Sequence, residues 1–375
     1  MIFKETRIAF SRWQVAGRNL ARALRDNLVN TVARRVIPSR PRPPAQQDAS
    51  RPAGKPVIFA SYAADADLTG SHRYCGGEKL LNNLILLLRR HGYEAFMVSY
   101  DGKNSQWLAE HAPFLSVEQF RERVQNTPDP RCITSWIKAR AFLDRCGKFY
   151  FWDQELGASA RSHFPVLARM MGEGRIVRTA GVNRTVQAWH RAVFEQEAAI
   201  LRQLVDEKYW KPDESRRQRL RVGYFDEGEH GAEYIRRICE RTAASGLTLD
   251  FFRLQGAEPE IISQMQTCAV FLALNIGKSP LWGEGGPMTP QEAMACGTVP
   301  VCFDLNGPWE FIQQGYNGII PTEITPELMA DAVMEIYQSP GRLEEMSRRC
   351  LEMTRASHTM EARWPDVRKF LNLPE

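Results

Sequence analysis

From residue 56 onward, short apolar runs alternate with amphipathic stretches, the pattern of buried parallel strands joined by crossover helices. Val57–Tyr62 reads as a strand, Glu78–His91 as a helix stopped by Gly92, and Glu94–Tyr100 as the next strand. Lys148–Trp152 and Arg175–Arg178 are shorter strand candidates, and Gln187–Tyr209 reads as one long helix. The polar stretch Lys211–Gln218 then interrupts the series. Beyond it the alternation resumes, with strands at Leu220–Phe225, Leu249–Leu254, Val270–Asn275 and Val299–Phe303. Helices are expected at Ala232–Ala244, Pro259–Thr267, Pro290–Cys296, Thr325–Gln338 and Arg342–Arg355. No segment repeats at a period of about 20–50 residues. The pattern predicts an α/β chain of two Rossmann-like, doubly wound domains, 56–211 and 212–357. Residues 358–375 form a C-terminal helix placed to pack back on the first domain. A length of 375 residues is too great for one ordinary core and comfortable for two.

The segment before residue 56 differs. Over residues 6–33, Trp13, Leu20, Leu24, Leu28 and Val32 share one helical face, while Arg7, Arg18, Arg22 and Arg25 fall roughly opposite. Residues 1–37 are therefore expected to form a basic amphipathic helix, followed by a Pro-rich linker over 38–55. Ten Lys and Arg face two acidic residues between Met1 and Pro44, so the net charge of +5 belongs to this segment and the body is slightly acidic. Such a helix can lie on an anionic membrane surface, or pack on its own domain or a partner subunit; both readings stay open. No nucleic-acid module accompanies the charge, so no nucleic-acid partner is expected.

The arginines also interrupt the apolar core that a secretory leader needs, and no run of about 18 apolar residues exists. The eight cysteines have no CxxC spacing, and several sit in apolar runs, as Cys268 and Cys302 do. Free buried thiols in a reducing compartment follow. The expected location is the cytoplasm, peripheral on the cytoplasmic membrane face if the basic helix binds lipid.

The stretch richest in chemistry is Trp282–Val301, WGEGGPMTPQEAMACGTVPV. A glycine-rich loop follows a buried strand and runs into a helix start, the place where open α/β sheets bind ligands. Gly285 and Gly286 let backbone approach a ligand, and the first helical turn offers free N–H groups to an oxygen. Glu284 and Glu292 bracket the loop. A plainer reading of Thr289-Pro290-Gln291-Glu292 is a capping box in which Glu292 reaches back to the cap N–H.

The wording around those acids resembles the retaining glycosyltransferases of family 4, whose second domain carries a Glu-x7-Glu motif before Ala-Met-Ala-Cys-Gly-Thr. The likeness continues through Gly307, Glu310, Gly315 and Asn317-Gly318, and more loosely at Gly76-Gly77-Glu78 and His91-Gly92-Tyr93. It covers about residues 56–355 and is specific over 265–320. The resemblance implies a GT-B fold, with 56–211 on the acceptor side of a cleft and 212–357 binding a nucleotide-sugar. It also implies sugar transfer with retention of configuration. Glu292 would accept hydrogen bonds from ribose hydroxyls, and Glu284 would contact the donor sugar near the reacting centre. Backbone N–H groups of Gly285, Gly286, Met288 and Thr289 would hold sugar hydroxyls or the diphosphate. Gly76 and Gly77 would approach the donor from across the cleft. The acceptor would be a carbohydrate or a lipid-linked molecule, in surface polysaccharide or glycolipid synthesis. No cofactor is implied, since the nucleotide-sugar is a substrate, and no metal is expected: Asp65-Ala-Asp67 lies in a loop far from the Glu motif.

The chain departs from the family where a diphosphate-binding Arg and Lys are usual. Tyr224 and His230 stand there instead. A protonated His230, or Lys278 or Arg253, would have to neutralise the leaving group. Otherwise the chain is a non-catalytic GT-B module scaffolding a biosynthetic complex. In the first domain, Asp153 and Glu155 end the aromatic run Phe149–Trp152 and could meet an acceptor or simply close a strand; Tyr150 and Trp152 are expected in the core. His72, His111 and His163 have no companions at metal spacing.

Overall fold

The computed structural model describes residues 55–374 except 62–75, 105, 136, 138, 155–162, 226–227, 275–286, 304–306 and 324. The basic helix expected over 1–37 and all of the linker except Lys55 lie outside the described residues.

The first sheet is built from β1 (Val57–Ser61), β2 (Ala95–Val98), β3 (Phe114–Leu115), β4 (Pro130–Thr134), β5 (Phe149–Asp153), β6 (Ile176–Gly181) and β7 (Ala199–Ile200). Their spatial order is β3-β2-β1-β4-β5-β6-β7, and every neighbouring pair is parallel. Strand periodicity sends alternate residues to opposite layers. Ile58 and Ala60 join Tyr150 and Trp152 in one core, while Phe59 joins Phe149 and Phe151 in the other. Both faces are covered, which is why these strands read as nearly unbroken apolar runs. The helix Gly76–Arg90 covers the first face with Leu81, Leu84, Ile85, Leu87 and Leu88. It stops at Gly92, whose φ of 75° lets the N–H of Tyr93 reach back to the carbonyl of Leu88 at 3.0 Å.

The second sheet holds β8 (Gln218–Phe225), β9 (Asp250–Leu254), β10 (Cys268–Ala273) and β11 (Val299–Cys302), in the order β11-β10-β8-β9 and again parallel. Helices Gly228–Ala244, Glu258–Met265, Met288–Ala295, Pro326–Tyr337 and Arg342–Ser357 accompany it. The seven described cysteines are free thiols, six of them buried. Among the described residues no helix is long and apolar enough to cross a membrane.

The chain crosses between the sheets twice, and the two crossings touch. Val205 forms a parallel bridge with Thr359, and its carbonyl accepts from the N–H of Met360 at 2.9 Å. The returning chain ends in the helix Trp364–Leu371, which buries Val367, Phe370 and Leu371 on the first sheet. The ring of Phe370 meets Tyr150 edge-on at 5.5 Å, and Trp364 stacks on His91 at 3.7 Å.

Three expectations need correction. Gln187–Tyr209 is not one helix. The helix runs Arg184–Phe194, capped by the Asn183 side chain, and Glu195 at φ 51° turns the chain out of it. Ala199–Ile200 then adds an edge strand, and Leu201, Leu204 and Val205 are buried as an extended connector. Tertiary burial outweighs the local helical pattern here. Elements were also missed between residues 101 and 172. Central strand β4 begins Pro130-Arg131, a poor apolar signal, because buried Arg131 donates to the carbonyls of Leu371 and Asn372 and so closes the C-terminal helix. The helices Val117–Gln125, Arg140–Cys146 and Phe164–Gly172 are short and were not anticipated. The third correction, at the helix following residue 287, concerns the site.

Phe370 is fully buried far along the chain from the strands it covers. Phe370→Ala is expected to lower unfolding stability by about 3–5 kcal/mol, the usual cost of deleting a buried phenyl ring. Chemical denaturation checks this, and a loss under about 1 kcal/mol would contradict the packing.

Candidate functional site

The helix Met288–Ala295 is buried almost all round, with only Thr289 partly exposed. Its far end is anchored by Arg217, which donates to the carbonyls of Cys296 and, at 2.5 Å, Gly297, a cation placed on the negative end of the helix. The capping-box reading of its start fails. Pro287 is the N-cap, no side chain caps the turn, and Thr289 is already helical. Glu292 therefore sits a turn inside and does not reach back to the cap. Its carboxylate instead accepts from the ammonium of Lys79, which comes from the first turn of Gly76–Arg90 in the other domain.

Lys79 is shared. It also pairs with Glu258, the first residue of the helix Glu258–Met265. Side-chain exposures are 6% for Lys79, 8% for Glu258 and 3% for Glu292, so three formal charges lie out of water. Glu258 is well satisfied: its oxygens accept from the N–H of Ala109 at 2.7 Å and from Trp210 Nε1 at 3.0 Å. Trp210 also lays its ring 4.7 Å from the Lys79 ammonium, with the Trp107 ring at 5.9 Å.

Burial pulls the Lys79 pKa down, but the two carboxylates more than offset it, and the net shift is upward. Burial pushes the Glu292 carboxyl up; Lys79 opposes this and Glu258 adds to it, leaving a net rise. The two partners thus point opposite ways, since one favours its charged form and the other does not. The charge count explains this. Two carboxylates divide one ammonium, so the lysine is over-supplied and Glu292 under-supplied.

A cavity of about 510 Å³ opens at this cluster. Gly76, Lys79 and Trp107 line it from the first domain, Trp210 from the connector, and Phe225, Arg253, Leu254, Gln255, Gly256, Glu258, Ile261, Met288, Thr289 and Glu292 from the second. It lies against the carboxyl ends of β8 and β9, where α/β ligand sites form. Of the residues expected at the site, Gly76, Met288, Thr289 and Glu292 come together on its wall. Gly77 shares the first turn of Gly76–Arg90 without lining the cavity. Glu284, Gly285, Gly286 and Lys278 lie outside the described residues. His230 falls within the helix Gly228–Ala244, and its side chain is not described.

Tyr224 pairs with Arg253 across β8 and β9, and of these two only Arg253 lines the cavity. Asp153 is buried at the end of β5 with an oxygen 2.8 Å from His190 Nε2. It ends the strand in contact with that histidine. Tyr150 and Trp152 are core, with Trp152 Nε1 donating to Leu201. Sequence reasoning stopped at Gly76-Gly77-Glu78 and missed Lys79 beside it, along with Glu258, Trp107 and Trp210. The available signal was one lysine heading a leucine-rich helical run, Leu80 to Leu88, in which Asn82 and Asn83 are the polar positions.

Comparison with known proteins bears on the fold and on part of the chain. Residues 231–355 match the family described as glycosyl transferases group 1. No curated protein matches by sequence. Among solved structures, HepE from Anabaena in complex with UDP-glucose superposes with a TM-score of 0.63 at 13% identity, covering 84% of this chain and 99% of that one. Sucrose-phosphate synthase from Thermosynechococcus elongatus gives 0.62 at 14%, covering 85% and 98%. A glycosyltransferase from Rickettsia africae gives 0.60 at 12%, covering 84% and 99%. The chain has the GT-B fold these neighbours share.

Because Glu258 ties Lys79, Trp210 and Ala109 together, Glu258→Ala leaves the Trp210 indole and the Ala109 N–H without their acceptor, and Lys79 with Glu292 alone. A loss of about 1–3 kcal/mol is expected, the cost of leaving a buried hydrogen-bond donor unsatisfied. Urea denaturation followed by tryptophan fluorescence measures it; a change within about 0.5 kcal/mol would show that the contacts carry no stability.

Proposed function

We propose that this chain is a glycosyltransferase that moves a sugar from a nucleotide-sugar donor to an acceptor with retention of configuration. The observation that carries the reading is Glu292, a buried carboxylate on the wall of a cavity between two Rossmann-like domains. Two findings support it. The group 1 glycosyl transferase match spans Glu292, and HepE of the same fold has been crystallised with UDP and with UDP-glucose.

On this reading Glu292 accepts hydrogen bonds from the ribose hydroxyls, a role suited to an acceptor-only carboxylate. Glu284 stands by the donor sugar and the reacting centre. The N–H groups of Gly285, Gly286, Met288 and Thr289, with Gly76 and Gly77 opposite, hold sugar hydroxyls and the diphosphate. Cleavage of the anomeric C–O bond leaves an oxocarbenium-like sugar and places negative charge on the departing diphosphate. The acceptor hydroxyl attacks from that same face, losing its proton toward the leaving group. The charge on the diphosphate needs preorganised donors or cations. Arg253, on the cavity wall, is the cation we assign to that task in place of the expected Arg–Lys pair; His230 and Lys278 are its alternates. The acceptor is a carbohydrate or lipid-linked molecule, reached at an anionic membrane surface through residues 1–37.

Calorimetry with UDP-, GDP- and dTDP-sugars tests the donor site. One pair should bind, and Glu292→Ala should weaken it by about 10- to 100-fold, matching the loss of hydrogen bonds to a charged acceptor. Turnover should disappear in Glu284→Ala. Donor binding with no turnover by wild type would instead mark a non-catalytic scaffold, the reading that Tyr224 favours by standing where a cation is expected. Deleting residues 1–50 should abolish co-sedimentation with anionic vesicles; unchanged binding removes the basic helix from the account.

A further inference from the structure

Glu292 and Glu258 depend on Lys79 to very different extents. Glu258 holds its place through the N–H of Ala109 and the indole of Trp210 in addition to Lys79. Among the described residues, Glu292 has Lys79 as its hydrogen-bonding partner. That lysine belongs to the opposite domain, lies on the same cavity wall, and is shut from water beneath two tryptophan rings. In so dry a setting a neighbouring charge acts far more strongly than it would at the surface.

We infer that Lys79 is a positioning residue for donor recognition: it supplies, from the first domain, the counter-charge that keeps Glu292 anionic and aimed into the cavity. This rests on the proposed role of Glu292 at the ribose. It adds that the nucleoside-binding carboxylate is completed only when the two domains close on each other. Lys79 touches no reacting atom. It acts through Glu292, and the consequence is a coupling of nucleotide affinity to interdomain contact.

The charged and titratable groups around Glu292 fix the sign of the pH response. Lys79 and Glu258 contact it through the shared cluster, Arg253 stands on the cavity wall, Cys296 lies one turn along its own helix, and His111 feels Glu258. Lys79 favours the ionised carboxylate, whereas burial and Glu258 favour the protonated one. Removing the ammonium therefore makes Glu292 take up its proton at higher pH, and a protonated carboxyl is a poorer acceptor for two ribose hydroxyls. Removing the charge of Glu258 acts the other way.

The test is calorimetric titration of UDP, GDP and dTDP into the full chain between about pH 5 and about pH 9. Lys79→Gln should weaken binding about tenfold or more near neutrality, with affinity returning as pH rises, so that the acid limb moves up. Lys79→Arg should keep the wild-type limb, because the charge is retained. Glu258→Gln should shift the limb down, and this second variant keeps the inference open to refutation should Lys79→Gln fail to fold. An equal loss at every pH in Lys79→Gln would mark a purely structural role and overturn the inference while leaving the transferase reading intact. An unmoved limb in all three variants would do the same. Failure of the wild type to bind any of the three nucleotides would overturn both.

Discussion

One ammonium group shared by two carboxylates holds the two halves of this molecule in register. Lys79 comes from the first helix of one domain, and Glu258 and Glu292 start or occupy helices of the other. Buried ion pairs contribute little net stability, because desolvation offsets most of the attraction. Their value here is geometric. A lysine that must satisfy two acids at once, under two indole rings, tolerates few relative placements of the domains. The same cluster forms part of the cavity wall, so whatever fixes the domains also shapes the site.

The sheets set this up at a distance. In both domains parallel strands end at the cleft, and the helices that follow them bring Lys79, Glu258 and Glu292 to the same place. Each participant sits in the first or second turn of its helix. Arg217 fixes the far end of Met288–Ala295, so Glu292 is presented by a helix anchored beyond it, in buried surroundings. The excess negative charge of the cluster is a natural counterpart for neutral hydroxyl donors, which is the chemistry a ribose offers.

The alternation of apolar runs made the two-sheet architecture legible, because strands buried on both faces cannot hide among polar residues. Strand β4 escaped because its buried Arg131 works on the end of a helix more than 200 positions away, and no local pattern carries that relation. The long helix over 187–209 was misread for the converse reason: a locally helical pattern was overruled by burial of Leu201 and Leu204 in the connector. At the site, the end of the Glu292 helix was readable, since Gly297 at φ 74° turns the chain where other residues are strained. Lys79 was not, because a lysine near a helix start looks like any exposed lysine until the acids opposite are known. The reading of Glu292 as a cap failed on a shift of one or two residues in where the helix begins.

The return of the chain to its starting domain has a consequence for biosynthesis. The surface of the first sheet around Tyr150 and Ala180 is covered by Phe370 and its neighbours, which are made only after the whole second domain. Until they leave the ribosome, the leading domain must wait with an oily face open to collisions, a period in which chaperone capture competes with aggregation. Loss of the helix Trp364–Leu371 would then harm the domain made before it rather than the one beside it in sequence.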